Sequence, residues 1–310
     1  MLKTKNSFAK YLKLNYILYI MMVPALIYTV VFKLIPLYGT VIAFKDYNMF
    51  NGANAVEAIA NSEWCGFDNF EKIFKQPEFL NVLANTFIIA ALKLVVLFPL
   101  PILMALLLNE MASVHFKKAI QTIVYIPHFF SWVVVAGIVL NVFGSNGFVN
   151  QIVEMSGNGK INFLMNPQNF LWVLVGSDAW KETGFNAVVY IAAIAAVSPE
   201  LYEAAQVDGA NKIQRMLRIT LPNILPTIMM MFILKIGKML EENFSQILVM
   251  YNPAVYDSAD VIQTFVYRLG LGQMDFTLGV TVGLFNSVVS FALILLSEFI
   301  CKKTLGRSVW

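Results

Sequence analysis

Long apolar runs separated by short polar ones are the main pattern of this chain. A helix that crosses a bilayer needs about 20 largely apolar residues, and six segments meet that requirement. These predicted spans cover about residues 16–44, 79–108, 119–143, 170–197, 222–250 and 277–300. The pattern predicts an all-α membrane protein with one six-helix transmembrane domain, 16–300, between terminal segments 1–15 and 301–310.

Prolines mark places where these long predicted helices are expected to bend. A proline inside a helix removes one backbone hydrogen bond and clashes with the preceding turn. Helices of nearly 30 residues must also tilt, kink or protrude to fit the bilayer. The candidate kinks are Pro24, Pro36, Pro99, Pro101, Pro127 and Pro226.

Composition supports a bilayer as the surrounding medium. Apolar residues make up 58% of the chain and charged residues 13%, whereas soluble domains contain about half and about a quarter. The net charge of +3 is small, and basic residues lie beside apolar segments rather than in runs with interleaved aromatic residues. We therefore expect the lipid bilayer, and not nucleic acid, as a partner.

The distribution of Lys and Arg predicts which loops face the cytoplasm. Six spans place both termini on one side, and loops on the cytoplasmic side carry more Lys and Arg. Twelve such residues fall on the side of the termini and five on the other. The twelve are Lys3, Lys5, Lys10, Lys13, Lys117, Lys118, Lys212, Arg215, Arg218, Lys302, Lys303 and Arg307. The prediction is that both termini and the loop 198–221 are cytoplasmic.

The loop 198–221 has the pattern of a helix, a turn and a second helix. Ser198 and Pro199 suit the start of a helix, and the helix dipole favours the negative charge of Glu200 in the first turn. Asp208 and Gly209 are expected to end it, because glycine accepts a left-handed backbone conformation. A basic amphipathic segment follows, with Ile213, Leu217 and Leu221 on one stripe. Small Ala204 and Ala205 allow close approach to a groove on another protein.

These residues resemble the signature of the inner-membrane permeases of ABC importers. That signature is Glu-Ala-Ala, three residues, Gly, nine residues, then Ile-x-Leu-Pro, and it runs here from Glu203 to Pro222. The sequence Asp208-Gly209-Ala210 resembles the carbohydrate branch. Further stretches resemble permeases for complex oligosaccharides, of the polygalacturonan or lipo-oligosaccharide type: 23–28, 35–38, 43–47, 180–184 and the closing Trp310.

The resemblance implies one half of the translocation pathway of a type I importer in the bacterial plasma membrane. Its implied partners are a homologous second permease, two cytoplasmic ATPase subunits and an extracytoplasmic solute-binding protein. ATP and Mg would bind to those ATPases, with no cofactor or metal on this chain, which also lacks a Gly-x-x-x-x-Gly-Lys-Ser/Thr loop. The ATPase-coupling residues are then Glu203, Ala204, Ala205, Asp208, Gly209, Ala210, Leu221 and Pro222.

Charged residues inside the predicted spans point to partners or to a polar route. Such residues are costly in a bilayer and usually face the bundle interior or water. Asp178 and Glu182 lie four residues apart with Lys181 in the same turn, and Lys238 and Glu242 share a face of the fifth span. Internal ion pairing is therefore one interpretation. The other is a sugar route lined by hydrogen-bonding and aromatic groups. Its candidates are Trp180, Lys181, Asn186, Lys238, Glu242 and Asn243.

Two alternatives remain at this level. A stand-alone channel or secondary transporter would also have six spans and buried charges, but internal repeats and paired broken helices are not evident. An ABC permease for a peptide, phosphonate or ion differs from a carbohydrate permease only by the resemblance. An enzyme is not expected, because the sequence offers neither a Ser-His-Asp set nor His or Cys residues at metal-ligand spacing.

Overall fold

The computed structural model describes residues 7–240 and 244–305, and these form a bundle of long helices. Five helical segments are long and apolar enough to cross a membrane. They are Tyr16–Phe44, Pro77–Asn109, Trp132–Met155, Lys212–Lys238 and Phe276–Phe299. A sixth candidate is the pair Pro167–Ala195 and Pro199–Val207, bent by 72°. The all-α bundle predicted from the apolar runs is therefore confirmed.

The first span changes its helical form along its length. It follows helix Ser7–Leu14 and consists of α-helix Tyr16–Thr29, π-helix Val30–Leu34 and 3-10 helix Ile35–Phe44. No residue of Tyr16–Thr29 is buried, whereas Ile42 and Ala43 are. The end of this span packs against the last helix of the bundle. Its beginning therefore presents an apolar surface on all sides.

The second and third spans are interrupted at prolines. Helix Pro77–Leu97 is followed by Pro99–Asn109. The third span, predicted as one helix over 119–143, is instead helix Val114–Tyr125, 3-10 turn Ile126–Phe129 and helix Trp132–Phe143. Pro127 lies at the start of that turn, and Phe130 is extended. A single proline thus breaks the predicted helix, because its missing N–H ends the hydrogen-bond ladder.

The fifth span also differs from its predicted bounds, 222–250. Helix Lys212–Arg215 continues through π-helix Met216–Thr220 into helix Leu221–Lys238, so Pro222 does not begin the span. Proline is tolerated there, as Pro24 and Pro226 are inside their helices. A separate helix covers Phe244–Met250, the last part of the predicted range. The sixth span is helix Phe276–Leu305.

Short elements cover the end of the bundle opposite the loop 198–221. A two-residue antiparallel ladder pairs Lys45–Asp46 with Glu63–Trp64. The remaining elements here are helices Ala55–Asn61, Asp68–Phe74, Phe148–Met155, Tyr256–Ala259 and Ile262–Tyr267, 3-10 turns Met49–Asn51 and Pro253–Val255, and π-helix Arg268–Gly272. Asp260 anchors this layer, because its Oδ2 atom lies 2.8 Å from Arg268 and its Oδ1 atom accepts a hydrogen bond from Thr264 at 2.6 Å.

Apolar clusters hold the spans together at both ends of the bundle. Near the loop 198–221, the cluster joins the second, fourth and fifth spans and consists of Ala105, Leu106, Ala187, Tyr190, Ile194, Ile224 and Ile228. At the opposite end, a cluster centred on Phe170, Leu174 and Ile247 joins the fourth span to helix Phe244–Met250. Polar residues of the fourth span, including Ser177 and Lys181, lie along the helix between these two clusters.

Coupling loop and candidate translocation cavity

The first helix of the loop 198–221, which we name the coupling loop after its predicted role, begins where the sequence predicts. It covers Pro199–Val207 and follows the fourth span across the 72° bend. Ser198 occupies the N-cap position, but its side chain makes no capping hydrogen bond. Pro199 in the first turn and Glu200 beside the exposed N–H groups are sufficient to define this start.

The turn that ends this helix is a Schellman motif centred on Gly209. Gly209 has φ +78°, as predicted from the Asp-Gly pair. The N–H of Ala210 donates to the carbonyl of Ala205 at 2.9 Å, and that of Gly209 donates to the carbonyl of Gln206 at 3.1 Å. These two bonds satisfy the last carbonyls of the helix. The reversal of the chain therefore depends on the left-handed conformation of Gly209.

The second half of the coupling loop starts with a capping box that the sequence analysis missed. The Asn211 side chain accepts a hydrogen bond from the backbone of Gln214 at 2.9 Å, and the Gln214 side chain accepts one from the backbone of Asn211 at 2.8 Å. Asn followed three residues later by Gln is the signal that identifies such a start. This cap begins the helix that becomes the fifth span.

A contact between two hydroxyl groups joins the two halves of the coupling loop. The hydroxyl of Tyr202 lies 3.0 Å from Oγ1 of Thr220, which is 1% exposed. Tyr202 belongs to helix Pro199–Val207, whereas Thr220 ends the π-helix that leads into the fifth span. The loop is therefore tied directly to the span that follows it.

The outer surface of the coupling loop carries both small and apolar side chains. Glu203 and Ala204 are exposed and Ala205 is half-buried. Val207 is 88% exposed at the end of its helix. Ile213 and Leu217, from the predicted apolar stripe, also face outward. Val207, Ile213 and Leu217 thus add an exposed apolar surface beside the predicted coupling residues Glu203 and Ala204, and such a surface suits a groove on another protein.

A cavity of about 420 Å³ lies between the second, fourth and fifth spans and the start of helix Trp132–Phe143. Its lining combines polar and aromatic groups, which is the combination that a saccharide requires. The lining residues are Leu97, Phe98, Pro101, Trp132, Asp178, Glu182, Thr183, Asn186, Tyr190, Met231, Leu234, Lys235 and Lys238. We call it the translocation cavity.

The predicted route residues divide into three groups. Asn186 and Lys238 line the translocation cavity. Lys181 is buried and does not line it, and Trp180 lines a separate, mostly apolar pocket. Glu242 and Asn243 lie outside the described residues. Trp132, rather than Trp180, supplies a tryptophan to the cavity. Its position just after the Pro127 break is the sequence signal that was missed.

A buried polar network joins the second span, the fourth span and helix Phe244–Met250. Nζ of Lys93 lies 2.7 Å from Oδ2 of Asp178 and donates to the side chain of Gln246. The Gln246 amide donates to the carbonyl of Leu174 at 2.8 Å and to Oγ of Ser177 at 2.9 Å. Asp178 therefore pairs across spans with Lys93, which is the internal ion pairing predicted for the charges inside the spans.

A second polar cluster joins the broken third span to the fourth. Nδ1 of His128 lies 2.8 Å from Oε2 of Glu182. Nζ of Lys181 donates to Oε1 of Glu182 at 2.7 Å and to the carbonyl of His128 at 2.9 Å. The Lys181 ammonium also lies over the ring of Trp132, 5.3 Å from its centroid. Internal ion pairing, predicted for Lys181 and Glu182, is thus confirmed for this pair.

Within residues 7–240 and 244–305, no group of three or more His, Cys, Asp and Glu side chains is placed to hold a metal ion. The described groups of the loop and the cavity make hydrogen bonds, ion pairs and apolar contacts.

Comparisons with known proteins agree with this architecture. The chain is 41% identical over 304 residues to the polygalacturonan/rhamnogalacturonan transport system permease protein YteP of Bacillus subtilis, covering 97% of this chain and 92% of that protein. It is 40% identical over 287 residues to the protein LplB of the same organism, covering 92% of this chain and 88% of that one.

A solved structure has the same fold over nearly the whole chain. It is a bacterial ABC transporter involved in the import of the acidic polysaccharide alginate, with a TM-score of 0.87 and 38% identity, covering 96% of this chain and 98% of that one. Residues 97–303 match the family model described as the binding-protein-dependent transport system inner membrane component. The chain belongs to this family of inner-membrane transport components.

Proposed function

We propose that this chain is one of two permease subunits of an ATP-driven importer and that it forms half of the pathway for an oligosaccharide. The observation that carries this proposal is similarity along nearly the whole chain to a polygalacturonan/rhamnogalacturonan permease and to an alginate importer. The translocation cavity supports it, since its aromatic and hydrogen-bonding groups suit a sugar.

The charges of the cavity favour an anionic saccharide. The Asp178 carboxylate is already paired with Lys93. The Glu182 carboxylate is already paired with Lys181 and His128. Lys238 is exposed and lines the same cavity. Alginate is named as acidic, and polygalacturonan is a polymer of uronic acids. The cargo class that fits these charges best is a short chain of uronic acid residues.

The coupling loop is the surface for an ATPase subunit. Its apolar end, formed by Val207, Ile213 and Leu217, would be covered by a groove on that partner. Closure of two ATPases would pull on this loop and on its equivalent in a second, homologous permease. ATP and Mg would bind to the ATPases, and both chain termini would lie on their side, in the cytoplasm.

The opposite end of the bundle would receive a loaded solute-binding protein. A structural relative of this chain, 37% identical with a TM-score of 0.87, is an alginate ABC transporter in complex with an alginate pentasaccharide-bound periplasmic protein. The short helices and the Lys45–Asp46 ladder cover that end here. Such a protein would release the saccharide into the cavity.

The test is uptake by the complete transporter in proteoliposomes, with ATP inside and the binding protein outside. Trigalacturonate is the anionic probe and maltotriose the neutral one. ATP-dependent accumulation of trigalacturonate, well above that of maltotriose, is expected. Accumulation of maltotriose alone would contradict the anionic class. Failure to transport either saccharide, despite ATPase activity in the assembled complex, would overturn the oligosaccharide function.

A further inference from the structure

One buried hydroxyl group in the wall of the translocation cavity has no partner. Thr183 lies on the fourth span and lines the cavity, and the residue is only 8% exposed. Within residues 7–240 and 244–305, its Oγ1 atom takes part in no hydrogen bond. A buried polar atom without a partner is costly, and most such atoms in folded proteins are paired. This hydroxyl is therefore a candidate contact for a solute in the cavity.

The other buried threonines of the described bundle satisfy their hydroxyl groups within the protein. A threonine in a helix usually donates to a carbonyl three or four residues earlier. Thr86 donates to the carbonyl four residues before it at 2.7 Å, and Thr281 does the same at 2.6 Å. Thr220 and Thr264 are also hydrogen bonded. Thr183 lies in the middle of the fourth span without such a bond, so its hydroxyl group remains available to a group from outside the chain.

Two further hydrogen-bonding side chains lie on the same face of the fourth span. Asn186 and Tyr190 follow Thr183 by three and seven residues, and all three line the cavity. Residues at this spacing share one face of a helix, and they cover about 10 Å along its axis. Their hydroxyl and amide groups are neutral, and each can both donate and accept a hydrogen bond. This stripe therefore suits successive hydroxyl groups of a saccharide.

The charges around Thr183 decide which part of a saccharide can lie beside it. Glu182, the preceding residue, lines the same cavity and carries the carboxylate that is paired with Lys181 and His128. A carboxylate of the saccharide placed beside Glu182 would be repelled. Lys238 on the fifth span lines the cavity as well and offers those carboxylates a cation. The fourth span therefore suits the hydroxyl groups of an anionic saccharide, and the fifth span suits its carboxylates.

We propose that Thr183 is a saccharide-binding residue, whose hydroxyl group forms a hydrogen bond with a hydroxyl group of the sugar when the cavity widens around it. The inference rests on the proposed function and deepens it by naming a contact. In this conformation the Oγ1 atom is closed off from water, so the empty cavity leaves it unsatisfied. Entry of the saccharide supplies the missing partner, and this bond helps to retain the sugar while the spans move.

The test compares Thr183→Val with Thr281→Val in the complete transporter, because valine has the shape of threonine without its hydroxyl group. Thr281 is the matched control, since it is fully buried on the sixth span, lies outside the cavity lining and has a paired hydroxyl. Proteoliposomes with saturating loaded binding protein give the amount of trigalacturonate taken up per ATP hydrolysed. Thermal unfolding of the saccharide-free complex gives the midpoint of each variant.

The two substitutions should act in opposite directions. Thr183→Val should lower uptake per ATP about fivefold, which corresponds to one hydrogen bond between neutral groups, because more of the saccharide escapes before the spans close. Its thermal midpoint should rise, since valine leaves no unsatisfied polar atom at this position. Thr281→Val should show a lower midpoint and unchanged uptake per ATP. Thr183→Ser keeps the hydroxyl group and should retain most of the uptake.

Unchanged uptake per ATP in Thr183→Val would overturn the inference and leave the proposed function standing. A lower midpoint in Thr183→Val would also overturn it, because the hydroxyl group would then already be bonded within the protein. If that variant does not assemble, Thr183→Ala and Thr183→Ser are compared by the rise in midpoint that trigalacturonate produces, and equal rises would overturn the inference. Failure of wild type to accumulate trigalacturonate would instead contradict the proposed function.

Discussion

Lys93 and Asp178 form an ion pair of 2.7 Å between the second and fourth spans, with side chains 6% and 13% exposed. Removing one partner of a buried pair leaves an uncompensated charge, which costs about 3–5 kcal/mol. Lys93→Met should therefore lower the free energy of unfolding by about that amount, measured by chemical unfolding in detergent. Adding Asp178→Asn to that variant should restore much of the loss.

The control for this pair is Lys75→Met. Lys75 lies 2.5 Å from Glu71, but both side chains are largely exposed, at 73% and 65%. Solvent screens such a pair, so its removal should leave unfolding unchanged. Equal effects of Lys93→Met and Lys75→Met would show that the buried pair does not stabilise the bundle.

Gly184 marks a close crossing between the third and fourth spans. A Cβ atom at this position would lie 2.0 Å from the carbonyl oxygen of Val124. Gly184→Ala should therefore separate the two helices and cost about 1–3 kcal/mol or more. Gly176→Ala, on the same helix, is the control, since a Cβ there meets nothing within 4 Å. Thermal unfolding of both variants checks this, and equal midpoints would refute the close crossing.

Gly209 should be needed for coupling rather than for folding. Its φ of +78° costs a residue with a side chain about 1–2 kcal/mol, although a Cβ there meets nothing within 4 Å. We expect Gly209→Val to insert and assemble but to lose uptake and binding-protein-stimulated ATPase activity. Gly209→Asn should retain more activity, because asparagine tolerates this conformation better.

The matched control for Gly209→Val is Gly157→Val. Gly157 has φ +79° and equally open surroundings, but it follows helix Phe148–Met155 at the opposite end of the bundle. The local strain is the same, so a coupling defect should appear in Gly209→Val alone. Equal loss of stimulated ATPase activity in both variants would contradict the assignment of the coupling loop.

Asp260 predicts a pH dependence of stability. Burial raises the pKa of its carboxyl above the usual range, although Thr264 and Arg268 act in the opposite direction. A raised pKa means that the folded protein holds this proton more tightly. The contribution of Asp260 is therefore greatest at acid pH and is lost as the pH rises from the ordinary carboxyl pKa through the raised value.

Two variants separate the effect of burial on the Asp260 carboxyl from the effect of its ion pair with Arg268. Asp260→Asn should match wild type at acid pH and become the more stable protein as the pH rises through that window. Arg268→Met should be less stable than wild type at neutral pH by about 3 kcal/mol, since it leaves a buried carboxylate without its cation. Unfolding midpoints across the pH series test both. Parallel pH profiles for wild type and Asp260→Asn would refute the raised pKa.

The sequence predicts features that depend on local chemistry. Apolar runs of sufficient length gave the spans, since a bilayer requires every backbone group to be bonded within the helix. The Asp-Gly pair predicted the left-handed turn at Gly209, because few other residues adopt that conformation. Pro127 predicts a kink, but the full break of the helix also depends on Lys181, which donates a hydrogen bond to the carbonyl of His128.

Contacts between residues far apart in the sequence could not be predicted from local patterns. Asp178 has a lysine three residues away in its own helix, yet it pairs with Lys93 on another span. Local spacing favours the neighbour, and the packing of the spans decides the partner. The same reason explains why Trp180 looked suitable for the cavity while Trp132 lines it: the break after Pro127 redirects the helix that carries Trp132.

The unbroken helix from Lys212 to Lys238 makes a mechanical lever about 40 Å long. One end begins at the capping box of the coupling loop, and the other carries Lys235 and Lys238 into the cavity. Because a rigid helix moves as one body, a pull on the coupling loop would also displace Lys235 and Lys238 at the cavity. Release of the saccharide and movement of the motor would then be one event rather than two in sequence.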